Sequence, residues 1–140
     1  MAEVYYQAPQ AGVLFVGRYY IERLLGEGAM GKVFLARDSM IGDEMVALKV
    51  LHSHLCADPR HTKRFLREIQ LNRKITHPNI VRTFEVGSQG GWLFFSMEYA
   101  PGRTLKELVQ AGPLAYAAVV EMAAQIAQGL AAIHEAGIIH

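Results

Sequence analysis

The sequence predicts an α+β fold in which an antiparallel sheet is followed by helices, and three observations support this. Two strand-like stretches, "RYYIERLL" and "KVFLAR", flank a glycine-rich turn and are expected to pair as a hairpin. A third strand-like stretch, "EMVALKVL", follows the turn-forming residues of "RDSMIGDE". Farther along, apolar residues recur at steps of three or four and predict an amphipathic helix: Val119, Met122, Ile126, Leu130 and Ile133.

The composition is that of a soluble domain. The chain has 140 residues, of which 51% are hydrophobic, and its net charge is only +1. It can therefore bury a sizeable core, and its charge favours neither nucleic acid nor an anionic surface as a partner. The single cysteine, Cys56, excludes an internal disulfide framework and suits a reducing compartment.

Targeting signals are not evident in the sequence. No secretory signal is visible, and no apolar run approaches the roughly 20 residues that a membrane helix requires. We therefore expect a cytoplasmic location and no membrane contact within this chain. Residues 1–17, which include "QAPQAG", are predicted to form a flexible arm.

The stretch "LLGEGAMGKVFLARD" matches three phosphate-binding patterns. Gly26, Gly28 and Gly31 fit G-x-G-x-x-G, which dinucleotide-binding folds share with the kinase glycine-rich loop, and Lys32 completes most of a Walker A loop. Val33, however, stands where a Walker A loop needs a hydroxyl for magnesium. A dinucleotide loop must open a helix, whereas "KVFLAR" predicts a strand. The glycines are therefore predicted to form a hairpin whose bare amides suit phosphates.

Lys49 interrupts an otherwise apolar strand. It shares one face of that strand with Ala47, while Val46 and Leu48 point the other way. Taken alone, such a lysine is as compatible with an edge-strand charge that discourages aggregation as with a functional group. Its place after the glycine hairpin favours function.

At this point the sequence resembles the eukaryotic-type protein kinase domain, in particular bacterial serine/threonine kinases. The glycine-rich "GEGAMGKV" and the lysine of "VALK" match the family's ATP-anchoring motifs. The resemblance continues in order through "RFLREIQLNRKITHPNIV", "LFFSMEYAPGRTL" and "AAQIAQGLAAIHEAGIIH". It covers roughly residues 18–140, and Met30 departs from the phenylalanine that many members carry at the loop tip.

The resemblance implies a domain organisation. It gives an N-lobe over residues 18–97, with five antiparallel strands and the helix that the family calls helix C. A hinge at 98–103 and the first helices of an incomplete C-lobe, helices D and E, at 104–140 would follow.

The resemblance also implies a site for ATP. Leu25, Val33 and Ala47 would form the roof of an adenine pocket, Val81 and Met97 its back, and Glu98 and Ala100 its hydrogen-bonding backbone. Lys49 and Glu68 would be the catalytic pair, in which Glu68 holds the Lys49 ammonium against the α- and β-phosphates. The full set of implied ATP-binding residues is Leu25, Gly26, Glu27, Gly28, Ala29, Met30, Gly31, Lys32, Val33, Ala47, Lys49, Val81, Met97, Glu98, Tyr99 and Ala100.

Glu68 has two interpretations. Asp58 and Pro59 predict the start of a helix, and from Pro59 to Ile75 there are six Lys or Arg residues and one acid, Glu68. A local pair with Arg64, four residues earlier, contributes only a few tenths of a kcal/mol. The spacing before "HPN" matches the family and favours a pair with Lys49 instead.

Two polar residues, Asn72 and Thr83, have two interpretations. Asn72, one turn after Glu68, stands where the family usually has an apolar residue, and Thr83 is polar at the matching strand position. These two either hydrogen-bond to each other inside the lobe, or Asn72 lies nearer solvent.

A histidine-rich stretch contains four possible metal ligands: His52, His54, Cys56 and His61. They lack recognised zinc spacings, so we predict a solvated loop and no metal site.

Two classes of function remain open. His140 matches the histidine of the family's H-R-D motif, so the catalytic aspartate, the magnesium ligands and the D-F-G motif of the family fall after it. The chain is expected to be the ATP-binding portion of a protein serine/threonine kinase and to lack catalysis by itself. ATP, magnesium held by the downstream residues and protein substrates would be its partners. The alternative is a pseudokinase or a regulatory module that binds a nucleotide or a partner without chemistry.

Overall fold

The computed structural model describes residues 6–139. The first part of the chain holds strands β1 (Leu14–Phe15), β2 (Tyr19–Glu27), β3 (Gly31–Asp38) and β4 (Glu44–Leu51). Helices α1 (Ser53–Cys56) and α2 (Pro59–Asn72) follow, and then strands β5 (Thr83–Gln89) and β6 (Trp92–Glu98). The last elements are helices α3 (Leu105–Gln110) and α4 (Tyr116–Glu135). The predicted α+β class is confirmed.

The six strands form one sheet in the order β1-β2-β3-β4-β6-β5, and neighbouring strands are antiparallel. The resemblance implied five strands, and β1 is the additional one. It is only two residues long, Leu14 pairing with Tyr20 and Phe15 with Tyr19. A strand this short leaves almost no period-two pattern in the sequence.

The prediction of a flexible arm through residue 17 is wrong for its last part. Phe15 and Val16 are buried, and the Phe15 ring packs edge-on against Phe94 with their centroids 5.3 Å apart. Tyr6 also packs against this core. Burial of a phenylalanine supplies enough apolar contact to order the segment that carries it. Residues 1–5 of the predicted arm lie outside the described residues.

The two faces of the sheet carry two separate apolar clusters. One face buries Phe34, Val46, Leu48 and Phe94 together with the β1–β2 segment. The opposite face packs against α2, whose Phe65 and Ile69 contact Leu51, Leu93 and Phe95. Because side chains alternate along each strand, the residues that do not face the first cluster are directed to the α2 side.

Helix α2 begins as the sequence predicts. Asp58 is the N-cap and accepts a hydrogen bond from the Arg60 N–H at 2.9 Å, and Pro59 is the first helical residue. Hydrogen bonds from the side chain and backbone of Arg60 lower the pKa of Asp58 to about 2. Its ionised form therefore remains a good cap throughout the neutral range.

Arg18, just before β2, links the end of β3 to a residue of β5. Its Nε and Nη2 atoms donate to the two carboxylate oxygens of Asp38 at 2.8 and 2.7 Å, and Nη1 donates to Glu85 Oε2 at 2.7 Å. Asp38 is 2% exposed and also accepts from the Met40 N–H. The burial of Asp38 raises its pKa, but the contacts with Arg18 and Met40 more than offset this and lower the pKa below its usual value. The hydrogen bond from Arg18 also lowers the pKa of Glu85.

We expect Asp38→Asn to lower the free energy of unfolding at pH 7 by about 1–3 kcal/mol, because a neutral amide cannot accept both guanidinium hydrogen bonds. A carboxylate whose folded pKa is depressed stabilises the fold above its unfolded pKa, and this contribution is lost as the pH falls through the folded value. The difference between the wild type and the variant should therefore narrow below about pH 4.

Denaturant unfolding across this pH range measures the effect. Asp43→Asn is the matched control, since Asp43 is exposed and Asn also tolerates its φ of 59°. A stability difference between Asp38→Asn and the wild type that stays constant from pH 7 to pH 3 would contradict this role of Asp38.

The chain divides into two compact units. The first comprises the chain through Arg73 together with Arg82–Tyr99, and the second comprises Lys74–Val81 and the chain from Ala100 onward. The chain passes between the units three times, and the last passage, from Tyr99 to Ala100, falls within the hinge predicted at 98–103. The assignment of Lys74–Val81 to the second unit was not predicted. Within that unit, Asn79 Nδ2 donates to Gln125 O at 2.9 Å and to Gln128 Oε1 at 3.2 Å, which ties the segment to α4.

The helices of the second unit follow their sequence signals. Thr104 is the N-cap of α3 and forms a capping box with Glu107. Gly129 is the one buried residue of α4, and it lies against Asn79 and Ile80. Several apolar side chains of α4 are exposed: Val119, Val120, Ile126 and Leu130.

The prediction that no apolar run approaches membrane length is wrong for α4. This helix has 20 residues, and its mean hydropathy reaches 1.3 over an 18-residue window. The sequence argument missed it because many of its residues are small, and because Glu121, Gln125 and Gln128 interrupt the larger apolar ones. Core helices of soluble proteins share this length and composition, so α4 is not assigned to a membrane.

Candidate functional site

The glycine-rich stretch forms the predicted hairpin between β2 and β3. The Gly28 N–H donates to Gly31 O at 2.9 Å and closes the turn. A Cβ atom built on Gly26 or Gly28 would meet nothing within 4 Å, so one side of this tip is open. An open loop of bare backbone amides is a cradle that an anionic group such as a phosphate fits.

Gly31 has a different structural role from the other two glycines. A Cβ atom at this position would lie 2.1 Å from Val50 O and 2.9 Å from the carbonyl carbon of Val50. Only glycine allows β3 to approach β4 this closely. Gly31 thus fixes the distance between the hairpin and the strand that carries Lys49.

Lys49 and Glu68 form the predicted ion pair. The Lys49 Nζ atom lies 3.1 Å from Glu68 Oε1, and the two side chains are 22% and 44% exposed. Glu68 is positioned by α2, whose buried Phe65 and Ile69 fix the helix against the sheet. The alternative pairing of Glu68 with Arg64 is therefore not needed to explain why one acidic residue stands among the basic residues of this helix.

Phe95 supports Lys49 from the neighbouring strand. It is the β6 partner of Lys49, and the Lys49 ammonium lies 5.8 Å from the centre of the buried Phe95 ring. An ammonium over an aromatic face at this distance is attracted by the ring. This contact was not predicted from the sequence, because it depends on the β4–β6 register.

The strand register places the predicted roof residues beside the ion pair. Val33 is the cross-strand partner of Lys49, and Ala47 is the partner of both Leu35 and Met97. Directly paired residues point to the same face of a sheet, so Val33, Ala47, Lys49 and Met97 share the face on which α2 packs. Met97 is half-buried and packs against the cluster around Phe65.

The remaining predicted ATP-binding residues lie at the rim of this face or in the second unit. Leu25 is 36% exposed and lies at an irregularity in the β2–β3 pairing. Glu27 pairs with Lys32 beside the tip, and Ala29 and Met30 form the turn. Glu98 ends β6 and Tyr99 follows it, whereas Val81 and Ala100 belong to the second unit.

Asn72 and Thr83 are both half-buried. Among the hydrogen bonds of residues 6–139, none joins their side chains. The structure thus favours the alternative in which Asn72 lies nearer solvent.

The histidine-rich stretch is partly helical. Ser53–Cys56 forms α1, and the rings of His52 and His54 stack with centroids 5.4 Å apart. Within the described range, no group of three or more His, Cys, Asp or Glu residues could hold a metal ion. His61 instead contacts the N-cap Asp58, with 3.0 Å between Nδ1 and Oδ2.

A curled antiparallel sheet with one helix packed on it, a glycine hairpin and a lysine–glutamate pair together define the N-lobe of the protein kinase class. The chain belongs to the protein kinase domain family, which it matches over residues 19–140. Protein kinases as a family use ATP and Mg²⁺.

Similar proteins include bacterial serine/threonine kinases. The serine/threonine-protein kinase pkn2 of Myxococcus xanthus is 39% identical over 133 residues, covering 95% of this chain and 16% of that protein. The serine/threonine-protein kinase PrkC of Bacillus subtilis is 38% identical over 125 residues, covering 89% of this chain and 19% of that protein.

The fold is likewise similar to a solved kinase domain. The PknI kinase domain of Mycobacterium tuberculosis matches with a TM-score of 0.74 and 31% identity, over 95% of this chain and 53% of that domain. The chain thus spans about half of a kinase domain and less than a quarter of the curated relatives named above.

Proposed function

We propose that this chain is the ATP-binding portion of a protein serine/threonine kinase, which transfers the γ-phosphoryl group of ATP to hydroxyl groups of proteins. The observation that carries the proposal is the contact of 3.1 Å between Lys49 Nζ and Glu68 Oε1, on the sheet face beside the glycine hairpin. It joins two residues that are 19 positions apart and matches the family's arrangement.

The ion pair leaves Lys49 with donors to spare. An ammonium group has three N–H donors, and Glu68 accepts one of them. The pair and the Phe95 ring hold the ammonium in place, so that its free donors can bind the α- and β-phosphate oxygens. Because the Lys49 side chain is only 22% exposed, the two charges interact more strongly than those of a fully exposed pair.

The glycine hairpin and the sheet face bind the rest of the nucleotide in this proposal. The open tip around Gly26 and Gly28 offers backbone N–H groups to the phosphates. Val33, Ala47 and Leu25 present apolar surface to the adenine ring, and the backbone of Glu98 offers hydrogen bonds to its edge.

Phosphoryl transfer depends on positioning and on stabilisation of charge, which Mg²⁺ supplies in this family. The family's magnesium ligands and catalytic aspartate match positions after His140, so no described residue is assigned to the metal. We propose that the 140-residue chain binds nucleotide but does not transfer phosphate by itself. A reducing, cytoplasmic location is proposed for it, in keeping with the free thiol of Cys56.

The experiment that tests the function is a phosphotransfer assay on the full-length protein with radiolabelled MgATP and a general protein substrate. We expect label on serine and threonine after acid hydrolysis of the product, and calorimetric binding of MgATP. A folded protein that binds no MgATP would overturn the proposal. Binding without transfer would favour the pseudokinase alternative.

Met97 gives a prediction about selectivity. A bulkier residue at the back of the adenine pocket should exclude inhibitors that extend past the base, whereas ATP does not reach that space. We expect Met97→Phe to weaken such inhibitors at least tenfold and to change the KM for ATP less than threefold, about the effect of one altered apolar contact.

Inhibition and ATP-competition curves for the two proteins measure this effect. Met40→Phe is a control, because Met40 is 73% exposed and lies outside the candidate site. Equal losses of ATP and inhibitor affinity in Met97→Phe would show that Met97 does not form the back wall.

A further inference from the structure

His52 contacts the glycine hairpin twice. It is the first residue after β4, and its backbone N–H donates to Met30 O at 2.9 Å. Its ring Nε2 atom lies 2.9 Å from Gly28 O, and the side chain is only 18% exposed. Glu27 Oε1 lies 4.0 Å from the same nitrogen. The hairpin tip is thus held by one residue that is distant in sequence.

The chemistry of the ring contact fixes which atom carries the proton. A backbone carbonyl can only accept a hydrogen bond, so His52 Nε2 is the donor to Gly28 O. The neighbouring carboxylate of Glu27 favours a donor at that position as well. The His54 ring stacks on the His52 ring at an interplanar angle of 15° and makes no hydrogen bond of its own to Gly28 or Met30 among the described contacts.

The two contacts set the direction of two peptide groups. In a trans peptide the C=O and the following N–H point to opposite sides. Because the carbonyls of Gly28 and Met30 face His52, the N–H groups of Ala29 and Gly31 are directed away from it. A carbonyl turned to the other side would repel an anionic ligand, whereas an N–H attracts it.

We propose that His52 is a positioning residue for the phosphates of the nucleotide: it locks the tip of the glycine hairpin in the orientation that presents amide donors. This rests on the proposed function. The tip has no side-chain packing at Gly26 or Gly28 to order it. Without His52 the loop would therefore stay mobile until the nucleotide binds, and the entropy cost of ordering it would weaken the binding.

The test uses four variants of the full-length protein. His52→Ala removes the ring donor. In His52→Gln the amide nitrogen reaches about as far as Nε2, whereas in His52→Asn it is one methylene shorter and takes the place of Nδ1. His54→Ala is the control, because it removes only the stacked neighbour. Two probes are titrated into each protein: a non-hydrolysable ATP analogue with Mg²⁺, and adenosine, which lacks phosphates.

We expect His52→Ala and His52→Asn to bind the ATP analogue about threefold to tenfold more weakly, the effect of one hydrogen bond. Adenosine affinity should be unchanged in both. His52→Gln should recover affinity for the analogue to within twofold, and His54→Ala should match the wild type. In turnover, the KM for ATP should rise while the KM for the protein substrate does not.

Two results would overturn the inference. One is equal affinity of the wild type, His52→Ala and His52→Asn for the ATP analogue. The other is a parallel loss of ATP analogue and adenosine, which would indicate a general structural role. If His52→Ala does not fold, the comparison of Gln with Asn decides the question. A wild type that binds neither probe would instead count against the proposed function itself, so the two failures are distinguishable.

Discussion

Lys49→Met is expected to reduce phosphotransfer by the full-length protein at least a hundredfold while leaving the fold intact. The ammonium is the group that would bind phosphate oxygens, and loss of one preorganised charged donor commonly costs about 10² to 10³ in rate. The fold should survive because methionine keeps the apolar stem and can pack on the Phe95 ring. Glu68 is left without a partner, but it is 44% exposed and can be hydrated.

The measurement is the rate of phosphate transfer from radiolabelled ATP, with the melting temperature as a test of folding. Lys63→Met is the matched control, because Lys63 is an exposed lysine on α2, the helix that carries Glu68. A folded Lys49→Met protein with near-normal transfer would remove Lys49 from the site.

Glu68→Gln tests whether Glu68 acts only through Lys49. If Glu68 acts only by positioning Lys49, its loss should cost about tenfold in rate, less than the loss of Lys49 itself. The double variant should then be no slower than Lys49→Met alone, because residues that act as a unit are not additive. Additive losses would assign Glu68 a separate role.

The sequence predicted this site unevenly. Lys49 and Glu68 could be predicted to pair because each lies at a recognisable place in a motif, after the glycine hairpin and before "HPN". The face shared by Ala47 and Lys49 followed from the period of two along β4. These are local patterns, and the structure reproduces them.

The contacts that the sequence did not predict depend on long-range register. Phe95 lies under Lys49 only because β6 pairs with β4, and nothing in "LFFSMEYA" fixes that alignment. His52 reaches Gly28 only because the β3–β4 pairing places the end of β4 beside the hairpin tip. Arg18 meets Glu85 because the curl of the sheet brings the two ends of the strand order together. Such contacts are set by the whole sheet, which no short stretch encodes.

The three glycines of the motif differ in the space around them, and this predicts a large loss of stability on substitution of one of them. The pattern G-x-G-x-x-G treats Gly26, Gly28 and Gly31 alike, but a Cβ atom has open space at the first two and would lie 2.1 Å from Val50 O at the third. The obstructing atoms belong to the backbone of β4, so no side-chain rotation can relieve the overlap. Alanine at position 31 must therefore move one strand away from the other.

Gly31→Ala is expected to lower the free energy of unfolding by about 2–4 kcal/mol and to weaken binding of the ATP analogue at least tenfold. Separation of β3 from β4 would disturb the Val33–Lys49 pair and the hydrogen bond from His52 N–H to Met30 O. Denaturant unfolding and calorimetric titration of the full-length protein measure both effects. Gly28→Ala is the matched control: it also adds one methyl group to the hairpin, but into open space, and should change the unfolding free energy by no more than about 1 kcal/mol. Equal stability of the two variants would mean that the close approach at Gly31 is not what this glycine provides.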